Sequence, residues 1–342
     1  MDRLGMDALW IYFRTILDLK WIFVKMSNAF FSNLFVNEAL RLLGRWARWA
    51  LPAGVVIGLI FPVLADRMQW LVTPSVIGTL TASLLRLDWQ RLADFLRRPG
   101  LALRIAAIQL VLAPLAVYGL ARAGLIPEAF TVITVLQAAA SPIGSAAAFA
   151  MFIGLSGNLS MAAAVLMTLL LPLTLTGVVS LLLPIYGSDV DVLRFFVRVA
   201  LTSLTPFLLA AVIRRLAGLP RLQRWDGELA GINVLLLVVF AIAIMAGVTE
   251  TFLAQPDYML GMLAWAWLAA VFWHATGYLL FLRKGTEVAL NAAILFGNRN
   301  MGLTLVVTAG TAGEAFQMYA GLAQIPMYCA PLLLSPLARR LR

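Results

Sequence analysis

The chain of 342 residues is 62% hydrophobic and only 12% charged, whereas soluble globular domains carry about 25% charged residues. This composition excludes a soluble protein and predicts one that crosses the lipid bilayer many times. The formal net charge of +10 raises the question of a nucleic-acid partner, which the placement of the basic residues decides.

The first predicted element is an N-terminal segment, residues 1–48, in which aromatic side chains are mixed with charges every few positions. This mixture is typical of an amphipathic segment that lies in the membrane interface. The alternative is an extension with no role beyond anchoring.

The rest of the chain is divided by its hydropathy into ten predicted spans, since about 20 apolar residues cross the hydrocarbon core as a helix. Their bounds are residues 49–65, 69–85, 100–120, 128–153, 158–184, 193–217, 229–248, 258–282, 286–309 and 315–337. The fourth and ninth spans contain helix-breaking residues, in Ser141–Ser145 (SPIGS) and Gly297–Gly302 (GNRNMG). Proline removes a backbone donor and clashes with the preceding turn, and glycine lowers helix stability by about 1 kcal/mol.

Basic residues lie almost entirely on alternate connections between these spans. One side of the membrane holds Arg41, Arg45, Arg48, Arg86, Arg91, Arg97, Arg98, Arg104, Arg214, Arg215, Arg221, Arg224, Arg283, Lys284, Arg339, Arg340 and Arg342. The other side keeps Arg67, Arg122, Arg194 and Arg198. By the positive-inside rule the first side is cytoplasmic, which places both termini there. The excess charge therefore predicts topology, and no nucleic acid is expected as a partner.

Ten spans with both termini on one side divide into two halves, residues 49–184 and 185–342. Five spans per half give the halves opposite orientations, as in an inverted repeat. The two interruptions then occupy matching positions, the best sequence indication of a transporter binding site, because broken helices at membrane depth line cavities or are buried in protein. The alternative is the ordinary proline and glycine content of membrane helices.

Arg299 is the central candidate residue, because a charge at the bilayer centre costs roughly 2.5–3.5 kcal/mol on insertion scales. One interpretation is a structural arginine satisfied by Asn298, Asn300 and backbone carbonyls. The other is that its planar guanidinium binds an anionic substrate. In the fourth span, Ser141, Pro142 and Ser145 are the matching candidates for substrate binding.

His274, the single histidine, lies in the eighth span and either titrates in a proton-coupled cycle or bridges two helices. A further set of polar residues either lines the predicted cavity or bridges helices: Gln137, Thr168, Asn233, Asn291 and Gln324. The single cysteine, Cys329, is predicted to be a lipid-facing or packing residue. The spans contain no carboxylate pair, no metal-ligand spacing and no nucleophile–histidine arrangement, so neither an enzyme nor a metal or other cofactor is expected.

Four stretches carry a resemblance to a known family: the loop 87–99, the segment 109–114 (QLVLAP), the region 136–184 with its Ser-Pro-x-Gly-Ser break, and 296–303 (FGNRNMGL). Together, over residues 49–337, they resemble the bile acid:sodium symporter family of the bile/arsenite/riboflavin transporter superfamily. The resemblance implies a panel domain and a core domain, with broken helices four and nine crossing near the midplane. It also implies that Gln109, which matches a glutamine of the family, is a substrate-binding residue.

The chain departs from that family where relatives bind sodium. The family's Ser-Asn pair falls on Ala147 and Ala148, its glutamate on Leu295 and its glutamine on Arg299, while Asn300 is kept. A hard cation needs several oxygen ligands, and the arginine would repel sodium. The guanidinium is expected to take the place of the ion against carbonyls freed at the helix ends.

The sequence therefore predicts an all-α transporter of a small organic anion that works by alternating access without the family's sodium coupling. Spans one, two, six and seven are expected to form the panel, and the location expected is the cell (inner) membrane. The alternatives are a sodium symporter with rearranged ligands, an efflux carrier, and a membrane sensor with a transporter-like fold. The substrate and the oligomeric state stay open.

Overall fold

The computed structural model of the chain describes residues 34–90, 92, 97, 99–186, 191–309 and 311–341, and these are almost entirely helical, with no β-strand among them. The first half contains α1 (Leu34–Arg45), α2 (Ala47–Ile60), α3 (Pro62–Met68), α4 (Val72–Leu85), α5 (Gly100–Ala107), α6 (Ala113–Arg122), α7 (Glu128–Ala139), α8 (Ala146–Phe152) and α9 (Asn158–Tyr186). The second contains α10 (Val192–Ala217), α11 (Leu219–Arg224), α12 (Asp226–Ala243), α13 (Val248–Ala254), α14 (Pro256–Phe281), α15 (Thr286–Gly297), α16 (Met301–Thr308), α17 (Gly313–Leu322) and α18 (Gln324–Leu341).

Six helical stretches are long and apolar enough to cross a membrane: Pro62–Leu85, Gly100–Arg122, Asn158–Leu182, Val192–Ala217, Asp226–Ala254 and Pro256–Lys284. They confirm the prediction of a helical membrane protein with several spans. Three shorter apolar helices, α2, α7 and α15, lie inside the first, fourth and ninth predicted spans. The number of ten spans and their arrangement as an inverted repeat go beyond these six stretches and stay predictions.

The boundary between the first two predicted spans differs from the expectation. The sequence predicts a loop at residues 66–68, but α2 ends at Ile60 and the helical stretch from Pro62 includes those residues. Proline has no N–H to donate and fits the first turn of a helix. Pro62 thus sets the boundary between the two helices, rather than residues 66–68 between the predicted spans.

Residues 1–33 of the predicted interfacial segment lie outside the described residues. The rest of the segment includes α1, which packs on α12. Arg41 Nη2 lies 2.7 Å from Glu228 Oε1, and the Glu228 side chain is buried. The two helices approach so closely that a Cβ on Gly231 would overlap the backbone of Leu40. This part of the segment is therefore a docked helix.

Two groups of helices meet at the region of interest. In the first group α12 contacts α2 and α4, and α4 also contacts α10. In the second, α15 lies against α14, α9 and α8. The half-helix α16 touches α4 and α10 of the first group. The two interrupted helices therefore border the boundary between the groups.

Candidate functional site

Both predicted interruptions are present, and they pair with each other. The fourth predicted span breaks between Ala139 and Ala146, and the ninth between Gly297 and Met301. The two breaks run antiparallel, with a bridge between Pro142 and Arg299. Their backbone groups are satisfied mutually, as broken helices at membrane depth require. We call residues 140–145 and 298–300 the crossover.

Two backbone hydrogen bonds hold the crossover together. The Asn300 N–H donates to the Ser141 carbonyl oxygen at 2.7 Å, and the Ile143 N–H donates to the Asn298 oxygen at 2.8 Å. Each break thus supplies one donor and one acceptor to the other. The two half-helix pairs are consequently fixed to one another at this point.

The Arg299 guanidinium lies where two helices end. Its Nε donates to the Phe296 carbonyl oxygen at 2.7 Å, and its Nη1 donates to those of Ala138 and Ala140, both at 3.1 Å. These carbonyls belong to the C-terminal ends of α15 and α7, where backbone acceptors lack helical partners and the helix dipole is negative. The buried positive charge is thus surrounded by oxygen atoms, much as a bound cation would be.

Aromatic rings cover the same guanidinium. Arg299 Cζ lies 4.7 Å from the centroid of the Trp273 ring and 5.6 Å from that of Phe296. A cation over an aromatic face gains roughly 0.5–2 kcal/mol, most where it is desolvated. In the part of the chain that the structure describes, no carboxylate forms an ion pair with Arg299. Carbonyls and rings together stabilise the charge.

The expected role of the flanking asparagines was wrong. Neither Asn298 nor Asn300 bonds the guanidinium, because both side chains have other partners. Asn300 Oδ1 accepts from the Leu303 N–H at 3.0 Å and caps α16. Asn298 Nδ2 donates to the Ile294 carbonyl oxygen at 3.0 Å and lies 3.3 Å from His274 Nε2.

His274 joins α14 to the crossover. Its Nδ1 lies 2.7 Å from the Ala270 carbonyl oxygen, which corresponds to the tautomer with Nδ1 protonated and Nε2 accepting from Asn298. The imidazole also packs on Gly297, where a Cβ would overlap the ring. The histidine therefore bridges two helices, and its proposed part in proton coupling stays a prediction.

Gln109 reaches the crossover from a third helix. It lies in the π-helical turn Ile108–Leu112 between α5 and α6, and its Nε2 donates to the Leu295 carbonyl oxygen at 3.0 Å. Such turns often occur at functional sites. The hydroxyl groups of Ser141 and Ser145 are buried without a hydrogen-bond partner.

A small cavity of about 20 Å³ lies beside Arg299, enough for about one water molecule. Among the predicted site residues, Arg299 and Asn300 line it. The remainder of its lining comes from Val76, Thr79, Leu80, Ile143, Gly144, Leu237, Phe240, Met301, Gly302, Gln324 and Met327. The other predicted residues belong to the crossover or bond to its neighbours without lining this cavity. We call it the central cavity.

Three residues that line the central cavity have a buried polar atom with no hydrogen-bond partner: Arg299 Nη2, Thr79 Oγ1 and Gln324 Oε1. The first donates, the third accepts, and a hydroxyl does both. Leaving such a group unpaired costs about 1–3 kcal/mol, and buried polar groups in proteins almost always have a partner. The cavity is thus chemically suited to a small polar guest.

Sequence reasoning missed Thr79 and Trp273. The spacing of Ser75, Thr79 and Ser83, four residues apart in apolar α4, was a usable signal for a polar helix face. No comparable signal marks Trp273, one of ten tryptophans. Of the open candidates, Gln324 lines the central cavity, while others bridge helices, as Gln137 does to Tyr319 at 2.7 Å and Asn291 to Ser160 at 2.6 Å.

Comparisons with known proteins assign no family to this arrangement. No protein-family model matches the chain, and no curated protein matches it.

Proposed function

We propose that the chain is a secondary transporter that carries a small organic anion across the membrane by alternating access. One observation carries the proposal: two paired helix breaks border a cavity that is lined by a buried arginine, a threonine and a glutamine, each of which has a polar atom without a hydrogen-bond partner. The proposed architecture is ten spans in two inverted repeats, as the resemblance to the bile acid:sodium symporter family implies. The arginine-rich connections support cytoplasmic termini in the cell (inner) membrane.

The polar atoms without a hydrogen-bond partner indicate the class of substrate. Arg299 supplies a permanent positive charge and a donor that suit a carboxylate. Gln324 Oε1 accepts a hydrogen bond, so it favours a ligand that also carries a hydroxyl or amine hydrogen. A small hydroxycarboxylate has both features. Because the cavity has room for about one water molecule, the substrate enters only when the two helix groups separate.

A thermal-shift experiment on the purified full chain tests this proposal. Lactate is compared with propionate, which lacks the hydroxyl, and with choline as a cation. We expect lactate to raise the unfolding temperature most, since saturation at 100 times Kd adds about 2.7 kcal/mol of stability. Arg299→Gln is expected to abolish the effect.

Arg198→Gln is the matched control. Arg198 also donates to helix-end carbonyl oxygens, those of Ala309 and Val306, but it does not line the central cavity. It should respond to lactate as the wild type does. An equal response in Arg299→Gln, or stabilisation by choline alone, would contradict the anion assignment.

Replacing sodium by choline at equal ionic strength should leave anion-dependent stabilisation and uptake unchanged. Ala147, Ala148 and Leu295, at the family's ligand positions, have no side-chain oxygen, and Arg299 would repel a cation. Uptake into vesicles in the two buffers measures this. Strict dependence on sodium would show that the prediction is wrong.

A sodium symporter with rearranged ligands is the second candidate, favoured by one observation. Gln109 Oε1 is buried and has no hydrogen-bond partner, and the same side chain lies beside the Leu295 carbonyl. Two oxygens are fewer than a hard cation usually takes, so the first candidate is preferred. The sodium-to-choline exchange distinguishes the two.

A further inference from the structure

Three cavities follow one another along α4. On this helix Val72 and Thr73 line an open vestibule of about 420 Å³. Val76, Thr79 and Leu80 line the central cavity, and Leu80, Ser83 and Leu84 line an inner pocket of about 40 Å³. Because a helix rises 1.5 Å per residue, this order in sequence is also an order in space. On α12, Phe240 borders the central cavity and Ala243 the vestibule, which gives the same order.

Phe240 lies at the end of the central cavity that is nearer the vestibule. A Cβ on Gly302 would lie 2.6 Å from Phe240 Cζ and 3.0 Å from Val76 Cγ2. The phenyl ring therefore rests directly on the α16 backbone at Gly302. Phe240 and Val76 belong to α12 and α4, while Gly302 belongs to α16, so the contact joins the first helix group to a broken helix.

Leu80 lies between the central cavity and the inner pocket. A Cβ on Gly144 would lie 2.5 Å from Leu80 Cδ2, and both residues line both cavities. Here too the first helix group provides the side chain, and a break provides the glycine. Leu80 and Phe240 thus close opposite ends of one cavity.

We propose that Phe240 on Gly302 and Leu80 on Gly144 are the two barriers that decide from which side the central cavity is reached. Rotation of one helix group against the other about the cavity separates one contact while it compresses the second. Each glycine presents only backbone, so each barrier is a single side chain. The proposal rests on the proposed function in taking the central cavity as the substrate compartment.

Cysteine accessibility tests the barriers without any substrate. Cys329 is the single cysteine, so Cys329→Ser with Thr79→Cys places one thiol of similar size in the central cavity. A membrane-impermeant methanethiosulfonate reagent is applied to the full chain in vesicles from either side. Because the closed protein opens in a minor population of about 0.1–10%, removal of a barrier should raise the modification rate about tenfold or more.

Phe240→Ala should raise the rate only from the vestibule side, and Leu80→Ala only from the inner side. Leu237→Ala is the matched control, since Leu237 also lines the central cavity but is not among the nearest neighbours of a Cβ on either glycine. It should raise neither rate. An equal rise from both sides, a rise from the wrong side, or no rise in either variant would overturn the proposal.

A second pair of variants tests the same barriers if Phe240→Ala or Leu80→Ala does not fold. Gly302→Ala and Gly144→Ala displace the ends of the Phe240 and Leu80 side chains, and they should open the same sides respectively. Gly119→Ala, at a position with no neighbouring atom within 4 Å, is their control. One-sided opening without any anion-dependent stabilisation would refute anion transport alone. Stabilisation without one-sided opening would refute the barriers alone.

Discussion

Arg299→Leu is expected to lower the free energy of unfolding by about 3–5 kcal/mol, because three buried carbonyl groups lose their donor at about 1–3 kcal/mol each. The substitution leaves the carbonyl groups of Ala138, Ala140 and Phe296 without their donor. It also brings together two negative helix ends with no charge between them. Thermal and denaturant unfolding of the purified protein in detergent measure the loss.

Two variants show whether the stability of the protein depends on the geometry or on the charge of the Arg299 side chain. Arg299→Lys keeps the charge but not the planar fork, so it should recover only part of the stability. Arg198→Leu removes a similar helix-end arginine at a half-buried position, where such interactions contribute about 0.3–1 kcal/mol. Equal losses in Arg299→Leu and Arg198→Leu would contradict the central role of the guanidinium in the crossover.

Gly277→Ala is expected to destabilise the chain by at least about 1–3 kcal/mol, the range for overpacking. A Cβ there would lie 2.5 Å from the Ala292 carbonyl oxygen and 2.9 Å from the Ala293 Cα. Both obstacles are backbone atoms of α15, so no side-chain rotation relieves the clash. The packing of α14 on α15 must shift, and with it the His274 contact to the crossover. The unfolding temperature in detergent measures the effect.

Gly261→Ala on the same helix is the matched control. The nearest atom to its added Cβ is Phe130 Cζ at 3.9 Å, an ordinary contact. Alanine has a higher helix propensity than glycine by about 0.8–1 kcal/mol, so this variant should be as stable as the wild type or more so. Equal stability of the two variants would contradict the close approach of Gly277 to the α15 backbone.

The helix breaks are predictable from sequence because their causes act locally. Pro142 and the glycines around Arg299 disturb the backbone within about one turn, so their positions can be read from the chain alone. The same reasoning from local sequence was wrong at residues 66–68. There the hydropathy of the chain predicted a loop, whereas Asp66 accepts a hydrogen bond from the distant Gly247 N–H at 3.2 Å within the folded protein.

The partners of Arg299 are not predictable in the same way. They are backbone carbonyl groups, which every residue has, so no residue type marks Ala138 or Ala140 as a ligand. Trp273 and Thr79 likewise become relevant only when packing turns one face of α14 or α4 toward the crossover. The asparagines beside Arg299 were the obvious candidates for its partners in the sequence. In the structure Asn300 caps a helix instead, and Asn298 contacts His274.

The bond from Arg299 to the Ala138 carbonyl joins residues 161 positions apart, which has a consequence for synthesis of the chain. A ribosome adds about 5–20 residues per second, so Arg299 is synthesised about 10–30 s after the first break. Within the bilayer, backbone groups without partners cost several kcal/mol each. The N-terminal half is therefore incomplete as it leaves the ribosome, and its final stability in the membrane comes only with the ninth predicted span.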